Sequence, residues 1–224
     1  MSKKLPNQQI GNLGIICWGG TGHARVINEL LSQFGRSITL IVDQRLLPSP
    51  CDGVPIVQGE SALLAFLADK NPGNFAAVVA VGGSKGNERV SLLEKMKDLK
   101  IQILTLIHPQ SYVAKGVPIG EGTQILAQAN VIVGSKIGRG VILNTASSVD
   151  HDCVLGDGVH LAPGARLCGE VVIGDHSFIG AGAVILPRIK IGKGVTVGAG
   201  SIVIRDVADH VTVVGNPARP LIKS

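Results

Sequence analysis

The chain has 224 residues, a formal charge of +5, 45% hydrophobic residues and only 3% aromatics. That length admits one large domain or two small ones, and no apolar run is long enough to span a bilayer, so membrane insertion is not expected. The modest, dispersed charge suits small anionic ligands such as phosphates. Neither a basic run nor interleaved aromatics offers a nucleic-acid groove.

Residues 1–12 carry two lysines but no apolar core like that of a secretory signal, and read as a disordered lead-in. Leu13 to Trp18 predicts a buried strand, followed by Gly19-Gly20-Thr21-Gly22. A helix from about His23 to Phe34 then shows Val26, Ile27, Leu30, Leu31 and Phe34 on one face. Ser37 to Val42 predicts a second strand, ending in Asp43, and Glu60 to Ala68 a second helix. Phe75 to Val81 predicts a third strand, Glu88 to Lys100 a third helix, and Ile101 to Ile107 a further strand. Strands alternating with helices predict a parallel α/β sheet, a Rossmann-like domain over 13–106.

The glycine loop after the first strand stands where such a unit binds phosphate. Its glycines let the backbone approach, and a helix N-terminus supplies unpaired N–H groups. Asp43 ends the second strand, where a carboxylate accepts from ribose hydroxyls. Gly82-Gly83-Ser84 follows the third strand towards the same crevice, which Trp18 is expected to narrow. The loop lacks the full G-x-G-x-x-G pattern, so a ligand-free tight turn is the competing reading.

From Ile107 to Val203, every sixth residue is Ile, Leu or Val, seventeen positions without an insertion. A period of six fits neither the helix repeat of 3.6 nor the strand repeat of two. It predicts short strands joined by corners, with one aliphatic side chain per flat face pointing inward and Gly turning the corner, as after Ile119, Ile137 and Leu155. The predicted architecture is a parallel β-helix over 107–205, with 206–224 as a C-terminal tail. Its narrow interior accounts for the scarcity of rings. Cys17, Cys51, Cys153 and Cys168 have neither metal-ligand nor disulfide-framework spacing, which points to reduced thiols in a cytoplasm.

The polar interruptions of the repeat carry the chemistry. Asn144-Thr145, then Asp150-His151-Asp152-Cys153, then His160 fall close together. With three hexads to a coil, the nine residues from His151 to His160 place the two histidines on neighbouring sides. An imidazole is the natural general base near neutral pH, and a flanking carboxylate holds its tautomer and raises its basicity. Asp150 and Asp152 both flank His151, so spacing leaves either available. Cys153 reads as packing, and His108, His176 and His210 as structural or solvated, with His108 fixing the turn at Pro109. The spacings among His151, His160 and His176 do not match a three-histidine zinc site, and no metal is expected. Arg188, Lys190, Lys193, Arg205 and Arg219 read equally as phosphate partners or as ordinary surface.

The hexads, with Val214-Gly215-Asn216-Pro217-Ala218-Arg219 at their close, resemble the left-handed β-helix acyltransferases. Combined with Gly19-Gly20-Thr21-Gly22-His23 and Asp43, the chain resembles the bacterial nucleotide-amino-sugar N-acetyltransferases, a family also described as sialic acid O-acetyltransferase-like. The resemblance runs from about Leu13 to Arg219. It implies a cytoplasmic homotrimer with acetyl-CoA as co-substrate in a groove between neighbouring β-helices. It implies His151 as general base, Asp152 as the carboxylate behind it, and His160 beside the acetyl thioester. Gly169, Ala181 and Ala199 fall where relatives contact the CoA arm through the backbone. Thr21, Gly22, His23, Asp43 and Gly82 would hold the nucleotide and Asn144 the sugar. Gln44 stands where several relatives have a second acidic residue. The implied reaction acetylates the amino group of a nucleotide-linked sugar, best matched by a UDP-linked 4-amino-4,6-dideoxy sugar, in surface-glycan biosynthesis. The alternatives are O-acetylation of a sugar hydroxyl such as that of sialic acid, and a non-catalytic nucleotide-binding scaffold.

Overall fold

The computed structural model describes residues 11–221, so the expected disordered lead-in falls almost wholly outside the described residues. Two compact units make up the chain. One comprises residues 11–81 with Ser91–Thr105, the other Gly82–Val90 with the residues from Leu106 onward.

The first unit runs β1 (Gly14–Trp18), α1 (Gly22–Ser32), β2 (Leu40–Asp43), β3 (Ile56–Gln58), α2 (Gly59–Leu67), β4 (Phe75–Val79), most of α3 (Gly86–Asp98), and β5 (Gln102–Ile103). Its sheet is parallel, in the order β3-β2-β1-β4-β5. Ile15 to Trp18 of the central strand are buried, as expected for a strand covered on both faces. The chain passes from β1 to β2 on one side and returns to β4 on the other. The loop after β1 therefore lies at the topological switch point, where open α/β sheets bind ligands. Trp18 does not narrow that crevice: it is 3% exposed and packs in the core with Leu63, Leu67 and Met96. Strand β3 escapes sequence reading because three residues are too few to show alternation. The expected strand Ile101–Ile107 divides. Leu104 N–H donates to Ala77 O in the first unit, and Leu106 N–H to Thr123 O in the second.

The second unit is a left-handed parallel β-helix. Its two-residue strands stack into three parallel sheets, called faces one, two and three in the order the chain visits them. Each strand pairs with one eighteen residues away, as in Ile142↔His160 and His160↔Phe178, so three hexads make a coil. The hexad aliphatics, such as Ile125, Val149, Leu161 and Ile185, are fully buried along the axis. At about 25 cal/mol per Å² of apolar area, this repeated burial is the main source of the unit's stability.

The corners turn differently from expectation. The left-handed residue stands three positions after each hexad aliphatic, from Gly116 (φ 87°) to Gly200 (φ 66°), and includes non-glycines such as Asp152 (φ 58°). The glycines directly after the aliphatics serve another purpose, the close stacking of coils. A methyl at Gly138 would lie 2.6 Å from Gly156 C and 2.8 Å from Asp157 N. The hexad period stops at Val203, yet the coil does not. Thr212 pairs with Thr196 and Val213 with Val197, a shortened spacing of sixteen, before Ala218–Pro220 closes antiparallel.

Candidate active site

In the first unit, Asp43 ties the glycine loop to the end of β2. Its Oδ2 accepts from Gly20 N–H at 2.8 Å and Arg45 Nη2 at 3.2 Å, and its Oδ1 from Arg45 N–H at 2.9 Å and Arg45 Nε at 3.0 Å. Burial alone would raise this carboxyl. The Arg45 side chain, the Arg45 N–H and the Gly20 N–H outweigh it and hold it at about 2. A ribose hydroxyl reaching Asp43 would therefore have to replace Arg45. Thr21 caps α1 with no side-chain hydrogen bond to the helix, Gly22 is exposed with open space where a Cβ would stand, and His23 is half-buried in the first turn.

In the second unit, three corners separate the three faces. The corner after face two carries Asp150-His151-Asp152 and, one coil on, Gly169. His151 Nδ1 lies 2.9 Å from Asp152 Oδ2, while Asp150 Oδ1 accepts from the His151 main-chain N–H at 2.7 Å. Of the two flanking carboxylates, Asp152 engages the ring and Asp150 the backbone. A carboxylate only accepts, so Nδ1 carries the hydrogen and Nε2 is left as the basic nitrogen. The Asp152 hydrogen bond raises the imidazole above its ordinary value, desolvation opposes it, and the charges of Asp150, Asp152 and Glu170 add to the rise. The imidazole lies over Gly169. A methyl there would sit 2.6 Å from Cε1 and would also clash with Nε2. Gly134, one coil before Asp152, serves the carboxylate in the same way, because a methyl at 134 would collide with Asp152 Oδ1.

The corner after face one carries Asn144 and, further along, Ala181 and Ala199 at equivalent places one coil apart. Both alanines are exposed, and their N–H groups, like that of Gly169, have no hydrogen-bond acceptor among the described residues. His160 sits on face one, 6% exposed, with Nδ1 3.3 Å from Gly83 O, Nε2 3.4 Å from Asn144 Nδ2, and Gly82 against its ring. One chain thus gathers His151, Asp152 and Gly169 at one corner, and His160, Asn144 and Gly82 at another place. Ala181 and Ala199 share Asn144's corner.

Cys153 points into the core, donates to Cys168 O at 3.1 Å, and is pushed up to about 11, chiefly by burial, so it is packing rather than a nucleophile. His108 Nδ1 accepts from Gln110 N–H and holds the turn. Arg188 pairs with Glu170 and Lys193 with Asp175, while Lys190, Arg205 and Arg219 are exposed. Among the described residues, no group of three His, Cys, Asp or Glu is placed to hold a metal, and no helix is long and apolar enough to cross a membrane. Sequence reading missed Gly134, Arg45 and the buried Arg89. Gly134 is recoverable by writing the chain in rows of eighteen, which sets it above Asp152. The others leave no periodic signal.

Two family models match the chain: the PglD N-terminal domain over residues 14–95, and the bacterial transferase hexapeptide (six repeats) over 170–205. Among solved structures, the acetyltransferase domain of PglB from Neisseria gonorrhoeae in complex with acetyl coenzyme A is 38% identical, with a TM-score of 0.83. The match covers 94% of this chain and 100% of that one. A histidine-to-alanine variant of GDP-perosamine N-acetyltransferase from Caulobacter crescentus, in complex with CoA and GDP-perosamine, is 34% identical at a TM-score of 0.84, covering 94% and 97%. WeeI from Acinetobacter baumannii is 32% identical at 0.84, covering 93% and 100%. No curated protein sequence matches.

Proposed function

Since the chain belongs to the bacterial nucleotide-amino-sugar N-acetyltransferases with a left-handed β-helix, acyltransferases that use acetyl-CoA as co-substrate, we propose that it acetylates the amino group of a UDP-linked 4-amino-4,6-dideoxy sugar, with His151 as general base. The observation that carries this reading is the exposed His151–Asp152 pair lying over Gly169. Asp152 fixes the Nδ1–H tautomer, and Nε2 takes the proton as the sugar amine attacks the thioester carbonyl. A main-chain N–H stabilises the oxyanion, and the unengaged N–H groups of Gly169, Ala181 and Ala199 are donors for the thioester and the CoA arm. Both substrates meet in one complex, so no acetyl-enzyme is required.

His160 stands beside the thioester and Asn144 beside the sugar. Thr21, Gly22, His23, Asp43 and Gly82 serve the nucleotide, with Asp43 acting through the Gly20 N–H and Arg45 that it holds. The residues placed on the CoA arm stand on two different corners of one β-helix. That separation supports a homotrimer in which the His151 corner of one chain faces the Ala181 corner of its neighbour. The enzyme works in the cytoplasm, where acetyl-CoA and sugar nucleotides are made, and supplies surface-glycan synthesis. A GDP-linked donor is the second reading, favoured by the GDP-perosamine held in the Caulobacter relative.

The test is a panel of UDP-, dTDP- and GDP-linked amino sugars with acetyl-CoA, read by free-thiol release, in wild type and His151→Ala. The variant should lose at least about 100-fold in kcat, the scale of a general base. Near-normal turnover would sink the assignment, and turnover of sialic acid in place of amino sugars would move the reading to O-acetylation. Asp43→Ala should raise KM for the sugar nucleotide about tenfold, because the Gly20 N–H and Arg45 lose the carboxylate that holds them, and that for acetyl-CoA much less.

A further inference from the structure

We infer that Arg89 is a positioning residue for acetyl transfer, acting through the Gly82–Gly83 loop on the placement and tautomer of His160. The inference rests on the reading of His160 as the group beside the thioester. Arg89 stands in the first turn of α3 and is fully buried. It donates from Nε to Gly140 O at 2.6 Å and from Nη2 to Gly158 O at 2.6 Å, with Val159 O at 3.4 Å. Gly140 and Gly158 occupy the corner after face three, one coil apart, so the guanidinium bridges two successive coils. A planar fork suits this bridge, because two separate nitrogens each meet one carbonyl, whereas an ammonium would have to reach both from a single nitrogen.

The same turn is seated by shape as well. A methyl at Gly86 would fall 2.8 Å from His176 Cα and against Gly158 O. Desolvating a cation is unfavourable unless hydrogen bonds offset it. Burial draws Arg89 down only to about 10, so it remains charged at neutral pH. A buried cation on main-chain carbonyls is an expensive way to hold one turn, which suggests that the placement of that turn matters.

The turn carries the loop just before it. Gly82 packs on the His160 ring, where a methyl would lie 3.5 Å from Cε1, and Gly83 O faces Nδ1 at 3.3 Å. A carbonyl only accepts, so Nδ1 bears the hydrogen. Asn144 Oδ1 takes the Thr145 N–H at 2.8 Å, which turns the amide NH₂ toward Nε2 at 3.4 Å, so Nε2 accepts. These two partners favour the Nδ1–H tautomer, and Phe178 is set edgewise to the ring at 5.2 Å. Unseating the loop removes the Gly83 carbonyl and with it the preference for that tautomer.

The test combines a double-mutant cycle of Arg89→Lys and His160→Asn with nitrogen-15 NMR of labelled histidine in the full chain. Arg89→Lys should raise KM for acetyl-CoA about tenfold while leaving that for the sugar nucleotide within about twofold. Most of the effect should vanish in the His160→Asn background, since residues acting as a unit are non-additive. The His160 ring signals should shift from the Nδ1–H form toward a mixture. Multiplying effects, or unchanged His160 signals in Arg89→Lys, would overturn the inference. If Arg89→Lys does not fold, the wild-type spectrum decides, because an Nε2–H tautomer at His160 overturns it equally. An active His151→Ala variant would remove the general base without touching these readouts, so the two failures are distinguishable.

Discussion

At position 152 the carboxylate does two jobs that a spacing argument cannot separate, orienting the His151 ring and raising its affinity for a proton. Only the folded corner shows that Asp152 takes the ring and Asp150 the backbone N–H. As the proposed base, His151 must be unprotonated to act, so activity should fall as pH drops through its pKa, which Asp152 raises. Asp152→Asn removes that support. The acid limb of the pH profile for kcat/KM should move to lower pH, while the plateau drops by about 10- to 100-fold through loss of the tautomer preference. An unmoved acid limb would mean that another group titrates. Asp43 gives a second test, of stability. Its folded value of about 2 lies below the ordinary 3.8, so its contribution is complete above about pH 4 and is lost as pH falls from there towards 2. Asp43→Asn should cost about 2 kcal/mol in denaturant unfolding at neutral pH, with the cost shrinking in that acid window.

At the scale of the coil, two kinds of glycine coexist with different physical reasons. Gly182 has φ 66° and open space around it, whereas Gly138 is barred from a side chain by the main chain of the next coil. Gly182→Ala should therefore cost only the left-handed penalty, about 1–2 kcal/mol. Gly138→Ala must separate two coils, and overpacking typically costs about 1–3 kcal/mol or more where the neighbour is main chain. Urea midpoints of the two variants check the order, and an equal or smaller loss at Gly138 would contradict the stacking account. The Gly after many of the aliphatics was legible in the sequence as a recurrent feature. Its reason was not, because the contact it permits lies about eighteen residues away, as from Gly138 to Gly156.

At the scale of the molecule, the proposed site residues are spread over separate corners of the β-helix and the first unit. His151 and Gly169 stand at one corner of the β-helix, Asn144, Ala181 and Ala199 at another, and the glycine loop with Asp43 in the first unit. The proposed homotrimer predicts a particle of about three times 23.2 kDa in sedimentation or light scattering, and a monomer that turns over substrate normally would refute the shared groove. The sequence by itself determined the β-helix and the α/β unit before it, because a six-residue period and strand–helix alternation are local patterns that burial of aliphatic side chains enforces. It also singled out His151, since a histidine between two aspartates breaks the aliphatic pattern. The tertiary structure alone decided that Asp152 is the partner, that Gly134 and Gly169 make room for the pair, that Trp18 belongs to the core, and that Arg45 occupies Asp43. Each of these depends on atoms brought together by the pitch of a coil or the pairing of neighbouring strands, a geometry that side-chain order along the chain does not encode.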